Sequence, residues 1–441
     1  MMAGSGTSGG QRRDTARRKP NIIFIMTDDL GYGDLGCYGQ QVIQTPHIDR
    51  LAAEGVRFTD CYAGSTVCAP SRCVLMTGKH TGHCHVRGNA RVPLRPEDVT
   101  VAELLRGQGY TTGTIGKWGL GEPDTTGIPN RQGFDYWFGY LNQKNAHNYY
   151  PEFLWRNEEK VTLEGNLEGA KSEYTHDIFT QEALHFVDDH KDDPFFLYLP
   201  YTIPHANNEL GRDSGDGMEV PDYGSYADEK WKQPQKGHAA MITRMDRDIG
   251  SLLSLLAELD LEKDTLLFFT SDNGPHKEGG ADPEFFNSSG PLKGYKRDLY
   301  EGGIRVPMIA RWPGMIRPGE SDQPWAFWDF LPTACQFAGA KPPSDIDGIS
   351  MLPAVFGREQ QSHEFMYWEF HERGFNQAVR MGDWKAVRKG FDEPIELYDL
   401  SEDIGETNDV AGEQPDVVAT IEDYLKTARV DSEEFPVEKK R

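Results

Sequence analysis

The chain has 441 residues, 37% hydrophobic and 11% aromatic, enough apolar material for a large core, which excludes a disordered chain. Acidic residues outnumber basic ones 70 to 46, a net charge of −24 that argues against nucleic acid as a partner but permits an anionic substrate in a locally positive pocket. No run of about 18 or more apolar residues occurs, so no membrane span is expected.

The N-terminal segment, 1–19, is rich in Gly and Ser and then basic, and reads as a flexible leader. It has no apolar stretch of the kind a signal peptide carries. The compartment therefore stays open: periplasmic or secreted if a signal has been removed, cytoplasmic otherwise. From residue 21 a pattern of apolar strand, loop and amphipathic helix repeats. NIIFIMT (21–27) is a β-branched run that ends in Asp28-Asp29, and 45–58 has helical spacing. Residues 99–121 read as a helix, a Gly turn and a strand ending near Lys117. Residues 181–205 repeat that order with a strand ending near His205, and 241–274 repeat it again, ending at Asp272-Asn273. Short continuous apolar strands between helices predict an α/β domain with a large, mostly parallel or mixed central sheet flanked by helices. In such sheets the site forms beyond the carboxyl ends of the strands. Residues 205–236 are polar and Gly/Pro-rich and are expected to form a long surface loop over that site. From residue 346 the pattern changes to short strands with turns and a closing helix. The expected units are thus a catalytic domain over 20–345 and a small α+β C-terminal subdomain with an antiparallel sheet over 346–441.

Asp28, Asp29 and Asp272 with the Asn273 amide form a hard oxygen set that suits Ca²⁺, with Mg²⁺ as the alternative, and offers no soft ligand. Each pair taken alone also reads as ordinary turn chemistry. Arg72, Lys117, His205 and Lys293 lie on four separate segments; brought together beside a divalent cation they would suit a phosphate or sulfate ester. Six cysteines (37, 61, 68, 73, 84 and 335) form no C-x-x-C pair, so no structural zinc site is expected, and a disulfide is possible but unassigned. Pro70-Ser71 can open a helix, whose N-terminus would favour an anion beside Cys68.

Cys68, Pro70, Ser71 and Arg72, followed by Thr77-Gly78, resemble the C-x-P-S-R-x4-T-G signature of the type I sulfatases, arylsulfatase-like members of the alkaline-phosphatase-like superfamily. The segments NIIFIMTDDLGYGDLGCYG, GKWGLG, SDNG, EGGIRVP and LYDLSEDIGETND resemble landmarks of that family, in its order. The resemblance implies that Cys68 is converted by a formylglycine-generating enzyme to Cα-formylglycine, the nucleophile. It implies that Asp28, Asp29, Asp272 and Asn273 hold Ca²⁺ shared with the group at position 68, and that Arg72 bonds that group and the metal-side carboxylates. Lys117 and Lys293 would grip sulfate oxygens, and His205 would protonate the departing alcohol. One position departs from the pattern: many members have a histidine where this chain has Gly119, and His276 or one of His80, His83 and His85 is a candidate to replace it.

Residues 131–155 and 368–377 are dense in aromatic and amide side chains, which fits stacking on sugar faces with amides for the hydroxyls as well as it fits ordinary packing. Basic residues after the signature (Lys79, His80, His83, His85, Arg87, Arg91) could offset the global charge. The expected activity is hydrolysis of a carbohydrate sulfate ester at a chain end. An aryl sulfate, phosphate or phosphonate ester is the alternative, and a sulfated-sugar-binding protein with unmodified Cys68 is the non-enzyme reading.

Overall fold

Strand β1 (Asn21–Thr27) is buried along its whole length, and its side chains part to two faces. Ile22, Phe24 and Met26 join one core, and Ile23 and Ile25 join another, as the two-residue period of a strand dictates. This computed structural model describes residues 19–372 and 374–437; the leader expected over 1–19 lies outside them apart from Lys19.

Ten further strands complete the sheet: β2 (Val56–Tyr62), β3 (Thr111–Lys117), β4 (Tyr136–Tyr140), β5 (Phe153–Arg156), β6 (Glu159–Thr162), β7 (Phe195–Pro200), β8 (Thr265–Ser271), β9 (Arg305–Arg311), β10 (Gly319–Ser321) and β11 (Trp325–Ala326). The order is β10-β2-β9-β8-β1-β7-β3-β4-β5-β6, with β11 also on β2. The centre, β8-β1-β7-β3-β4, is parallel, while β9 and the β5–β6 hairpin run antiparallel. A mixed sheet with a parallel centre is the expected architecture. The β1–β8 register pairs Asn21 with Thr265 and Thr27 with Ser271, which brings Asp28 level with Asp272.

Helices cover both faces. α1 (Pro46–Glu54), α4 (Thr175–Asp189) and α6 (Gln233–Glu258) pack on the Ile23/Ile25 side. α2 (Cys68–Thr77), α3 (Val101–Arg106) and the helix Phe330–Ala338 pack on the Phe24 side. The 205–236 segment is not a plain loop: it carries helix α5 (Asn208–Ser214) and a 3-10 turn at Gly224–Tyr226.

Strands β12 (Met366–Phe370), β13 (Asn376–Met381), β14 (Trp384–Lys389) and β15 (Ile395–Asp399) form a second, antiparallel sheet in sequence order. One face takes Ile421 and Leu425 of the closing helix Pro415–Leu425. The other sends Met366, Trp368 and Phe370 into the main core. Among the described residues no helix is long and apolar enough to cross a membrane.

Candidate active site

The parallel strands deliver their carboxyl-terminal residues to one edge. Asp28-Asp29 follow β1, Lys117 ends β3, His205 lies beyond β7 and Asp272-Asn273 follow β8. α2 begins at Cys68 on that edge, and every one of its residues is buried. Its first turn is held by Ala69 N–H donating to Asn89 Oδ1 at 3.0 Å and by Gly64 N–H donating to Ser71 Oγ at 3.1 Å.

The side chains meet in a buried cluster. Cys68 Sγ lies 3.3 Å from Asp28 Oδ1, and Lys117 Nζ lies 2.5 Å from Asp28 Oδ2. Arg72 NH2 donates to Asp272 Oδ2 at 2.7 Å and lies 3.5 Å from Asp28 Oδ2, while NH1 donates to the Lys117 carbonyl. Asn273 Nδ2 donates to Asp29 Oδ1 at 2.7 Å, and Asp29 N–H donates to Asp272 Oδ1 at 3.2 Å. His205 Nε2 lies 3.5 Å from Asp29 Oδ2, and its Nδ1 shares a 2.6 Å hydrogen bond with the Ala206 carbonyl. Of the residues expected from sequence, Asp28, Asp29, Cys68, Arg72, Lys117, His205, Asp272 and Asn273 are thus gathered in one place.

Lys293 is not with them. Its ammonium donates to the Glu406 carbonyl at 2.8 Å and lies 3.9 Å over the Tyr300 ring. Lys296 stands at the site instead, with Nζ 2.8 Å from Asp29 Oδ2 and 3.4 Å from Glu278 Oε2. The chain turns between the two lysines at Gly294 (φ 89°), and Lys296 N–H is pinned to the Pro275 carbonyl. Two lysines three positions apart look alike in sequence, and only the turn decides which faces the carboxylates.

The charges fit a cation. Burial works against ionised Asp28, but Lys117, His205 and Arg72 outweigh it and hold it below the usual carboxylate range; Asp29 is likewise held low, chiefly by Lys296 against its burial. Burial and the charge of Asp28 push Asp272 up to about 7. Asn273 Oδ1 is buried without a hydrogen-bond partner, a cost of about 1–3 kcal/mol for an acceptor left unmet. An unmatched oxygen beside three carboxylates is the chemistry of a hard-cation site. Donor atoms of Asp28, Asp29, Cys68 and His205 all lie within 4.8 Å of one another. Lys117 and Lys296 stay charged although buried, because Asp28 and Asp29 offset the loss of water.

A cavity of about 220 Å³ opens onto Cys68, His205 and Lys296. Its lining also carries Gly119, Gln143, His147 and Asn208; the sequence offered the 131–155 stretch and the 205–236 segment for this region without singling out Gln143, His147 or Asn208. His147 stacks on His205 with ring centroids 4.9 Å apart and holds Glu209 through Nδ1 at 3.0 Å. Of the candidate replacements for a histidine at 119, His276 lies beside Asp29 and stacks on His205 with centroids 5.8 Å apart, both of its ring nitrogens being engaged. His276 Nε2 bonds the Pro204 carbonyl and its Nδ1 accepts from Glu278 N–H. His80 and His83 face Asp347, and His85 does not line the cavity.

The expected sugar-stacking aromatics do not line it either. Trp137, Phe138, Tyr140, Tyr149, Trp368 and Phe370 are buried in the cores, and the lining contains no Trp, Tyr or Phe among the described residues. The basic residues after the signature act chiefly as struts. Lys79 pairs with Asp345 and Arg87 with Glu369; Arg91 alone of the six reaches the cavity. All six cysteines carry free thiols.

Comparison with known proteins shows the family. The Sulfatase family model matches residues 20–340, and the model for the C-terminal part of N-sulphoglucosamine sulphohydrolase matches 294–431. The chain is 35% identical to N-acetylgalactosamine-6-sulfatase of Sus scrofa, covering 87% of this chain and 73% of that protein. It is 31% identical to N-acetylgalactosamine-6-O-sulfatase of Bacteroides thetaiotaomicron, covering 93% of each. The crystal structure of Ps i-CgsB in complex with k-i-k-neocarrahexaose superposes with a TM-score of 0.82 at 31% identity, again over 93% of each chain. The chain belongs to the sulfatase family, the hydrolases of sulfuric esters.

Proposed function

We propose that this sulfatase releases inorganic sulfate from a carbohydrate sulfate ester, taking a terminal sugar unit. Cys68 is matured to Cα-formylglycine, and Asp28, Asp29, Asp272 and Asn273 hold Ca²⁺, with Mg²⁺ as the alternative. The observation that carries this reading is the meeting of Cys68, an oxygen-rich cation site and two buried ammonium groups at one end of a 220 Å³ cavity. The relatives named above for galactosamine sulfate esters support the carbohydrate class.

Burial and the Asp28 charge push the Cys68 thiol far up. An unmodified thiol there stays protonated and is a weak nucleophile, which supports maturation to an aldehyde. When bound, the cation neutralises the carboxylates and polarises a sulfate oxygen, while the aldehyde hydrate provides a hydroxyl nucleophile. Lys117 and Lys296 approach from β3 and from the 290s loop and balance charge on the sulfate oxygens as the S–O bond breaks. Arg72 fixes Asp28 and Asp272 in their orientations. His205 donates Nδ1–H to the Ala206 carbonyl, which leaves Nε2 to exchange a proton with the leaving alcohol oxygen. Burial and Lys296 hold its pKa down to about 3 in the free protein; a sulfate oxyanion beside it opposes Lys296 and lets it carry that proton.

The test is made on protein expressed in a host with formylglycine-generating activity. The Cys68 peptide is expected to be lighter by about 18 Da, the loss of H₂S and gain of O. Sulfate release is expected from N-acetylgalactosamine 6-sulfate and 4-nitrophenyl sulfate, with 4-nitrophenyl phosphate slower. An unshifted peptide mass, or faster phosphate turnover, would overturn the reading.

A further inference from the structure

Two amide side chains among the residues that line the cavity carry three buried atoms with no hydrogen-bond partner: Nε2 and Oε1 of Gln143 and Oδ1 of Asn208. Buried polar atoms are paired in the great majority of cases, and each exception asks for a ligand, a water or an ion. The two amides come from separate elements. Gln143 lies in the turn after β4, and Asn208 opens helix α5. Two other amides on the same wall are already engaged, Asn142 with Glu122 and Asn89 with Ala69 N–H, so the free ones are particular to these positions.

The backbone makes room for Gln143. Gly119 has φ 78°, and a Cβ there would lie 2.1 Å from Gln143 Nε2. A side chain at 119 would be strained at that φ and would push the Gln143 carboxamide aside, so the glycine and the carboxamide beside it go together. The wall offers no aromatic ring for a flat aglycone.

We propose that Gln143 and Asn208 form a hydroxyl-reading subsite for the leaving group. The Gln143 carboxamide presents one donor and one acceptor, the complement of a hydroxyl, and Asn208 Oδ1 accepts from a second hydroxyl or an amide N–H. The substrate class is a sulfate ester on a polyhydroxylated ring, with free hydroxyl or acylamino groups near the sulfated carbon. A phenyl or steryl leaving group would keep all three atoms unpaired, so the subsite discriminates against it. This inference rests on the sulfatase reading above and assigns it the residues that choose the substrate.

The experiment compares wild type, Gln143→Leu and Asn208→Ala on N-acetylgalactosamine 6-sulfate, galactose 6-sulfate and 4-nitrophenyl sulfate, with a melting curve for each variant. For each variant, the ratio of sugar to aryl kcat/KM is expected to fall about 10- to 100-fold, mostly through KM. Equal losses on sugar and aryl substrates in variants that melt like wild type would overturn the subsite while leaving the sulfatase reading intact. So would a wild type that turns over the aryl sulfate but neither sugar. Loss of fold in Gln143→Leu leaves Asn208→Ala to decide. A wild type that releases no sulfate from any of the three removes the underlying reading and the subsite with it.

Discussion

Lys293 and Lys296 share a sequence environment, yet their ammonium groups serve different parts of the molecule. Lys296 is buried against Asp29 and Glu278, whereas Lys293 ties the 290s loop to Tyr398 and the Glu406 carbonyl. Lys296→Ala is therefore expected to lower kcat/KM for any sulfate ester about 10²- to 10³-fold, the usual loss for a group that stabilises transition-state charge. Lys293→Ala should cost activity no more than about threefold, since surface-linked contacts away from the chemistry contribute little. Steady-state kinetics of the pair decides the assignment; the reverse ranking would sink it. At His205 the leaving group sets the expectation. An alkoxide needs a proton as it departs and a nitrophenolate does not, so His205→Ala should reduce sugar-sulfate turnover about 10²-fold or more and 4-nitrophenyl sulfate turnover far less. Equal losses on the two substrates would remove His205 from the acid role.

At the scale of elements, strand β12 does two jobs. Its Trp368 and Phe370 enter the main core, and its Glu369, fully buried, is held between Arg87 at 3.0 Å and Arg429 at 2.9 Å, with His371 alongside. Burial opposes the charge of Glu369, but His371, Arg87 and Arg429 outweigh it and bring its pKa down to about 2. A depressed carboxylate pKa contributes stability above the unfolded value near 4.5, and that contribution is lost as pH falls toward 2. The shift corresponds to about 3 kcal/mol. Glu369→Gln is expected to lower the unfolding midpoint at pH 7, and the gap from wild type should narrow progressively below pH 4.5. Denaturant melts across that range measure it, and a gap independent of pH would show that packing rather than charge docks the second sheet. Helix α2 shows a related economy. Its Gly78 terminates it in the left-handed region at φ 71°, and its first residue is Cys68, the proposed nucleophile, so ten residues both seat that group and fill the core.

At the scale of the whole molecule, the active edge exists because β8, β1, β7 and β3 run parallel and end together. These strands, their order of appearance and the polar residues at their ends were legible in the chain, since short apolar runs report burial on both faces, Asp-Asp and Asp-Asn follow β1 and β8 directly, Lys117 closes β3 and His205 comes soon after β7. So was the signature around Cys68, because its residues are adjacent in sequence. The aromatic stretches left two readings open for a physical reason: Trp137 and Tyr149 have the same composition whether they face a sugar or a core, and the fold buries them while Gln143 and His147 of the same stretch line the cavity. The choice of Lys296 over Lys293 depended on one turn at Gly294. The amides Gln143 and Asn208 are separated in sequence by β5, β6, α4 and β7, yet both line the same cavity. What the sequence determined by itself was therefore local: strand and helix pattern, the acidic ends and the motif around Cys68, all set by neighbours within a few residues. Which lysine turns inward, which amides stay unpaired and what Gly119 makes room for were decided only by tertiary structure, because those facts are distances between segments that share no sequence neighbourhood.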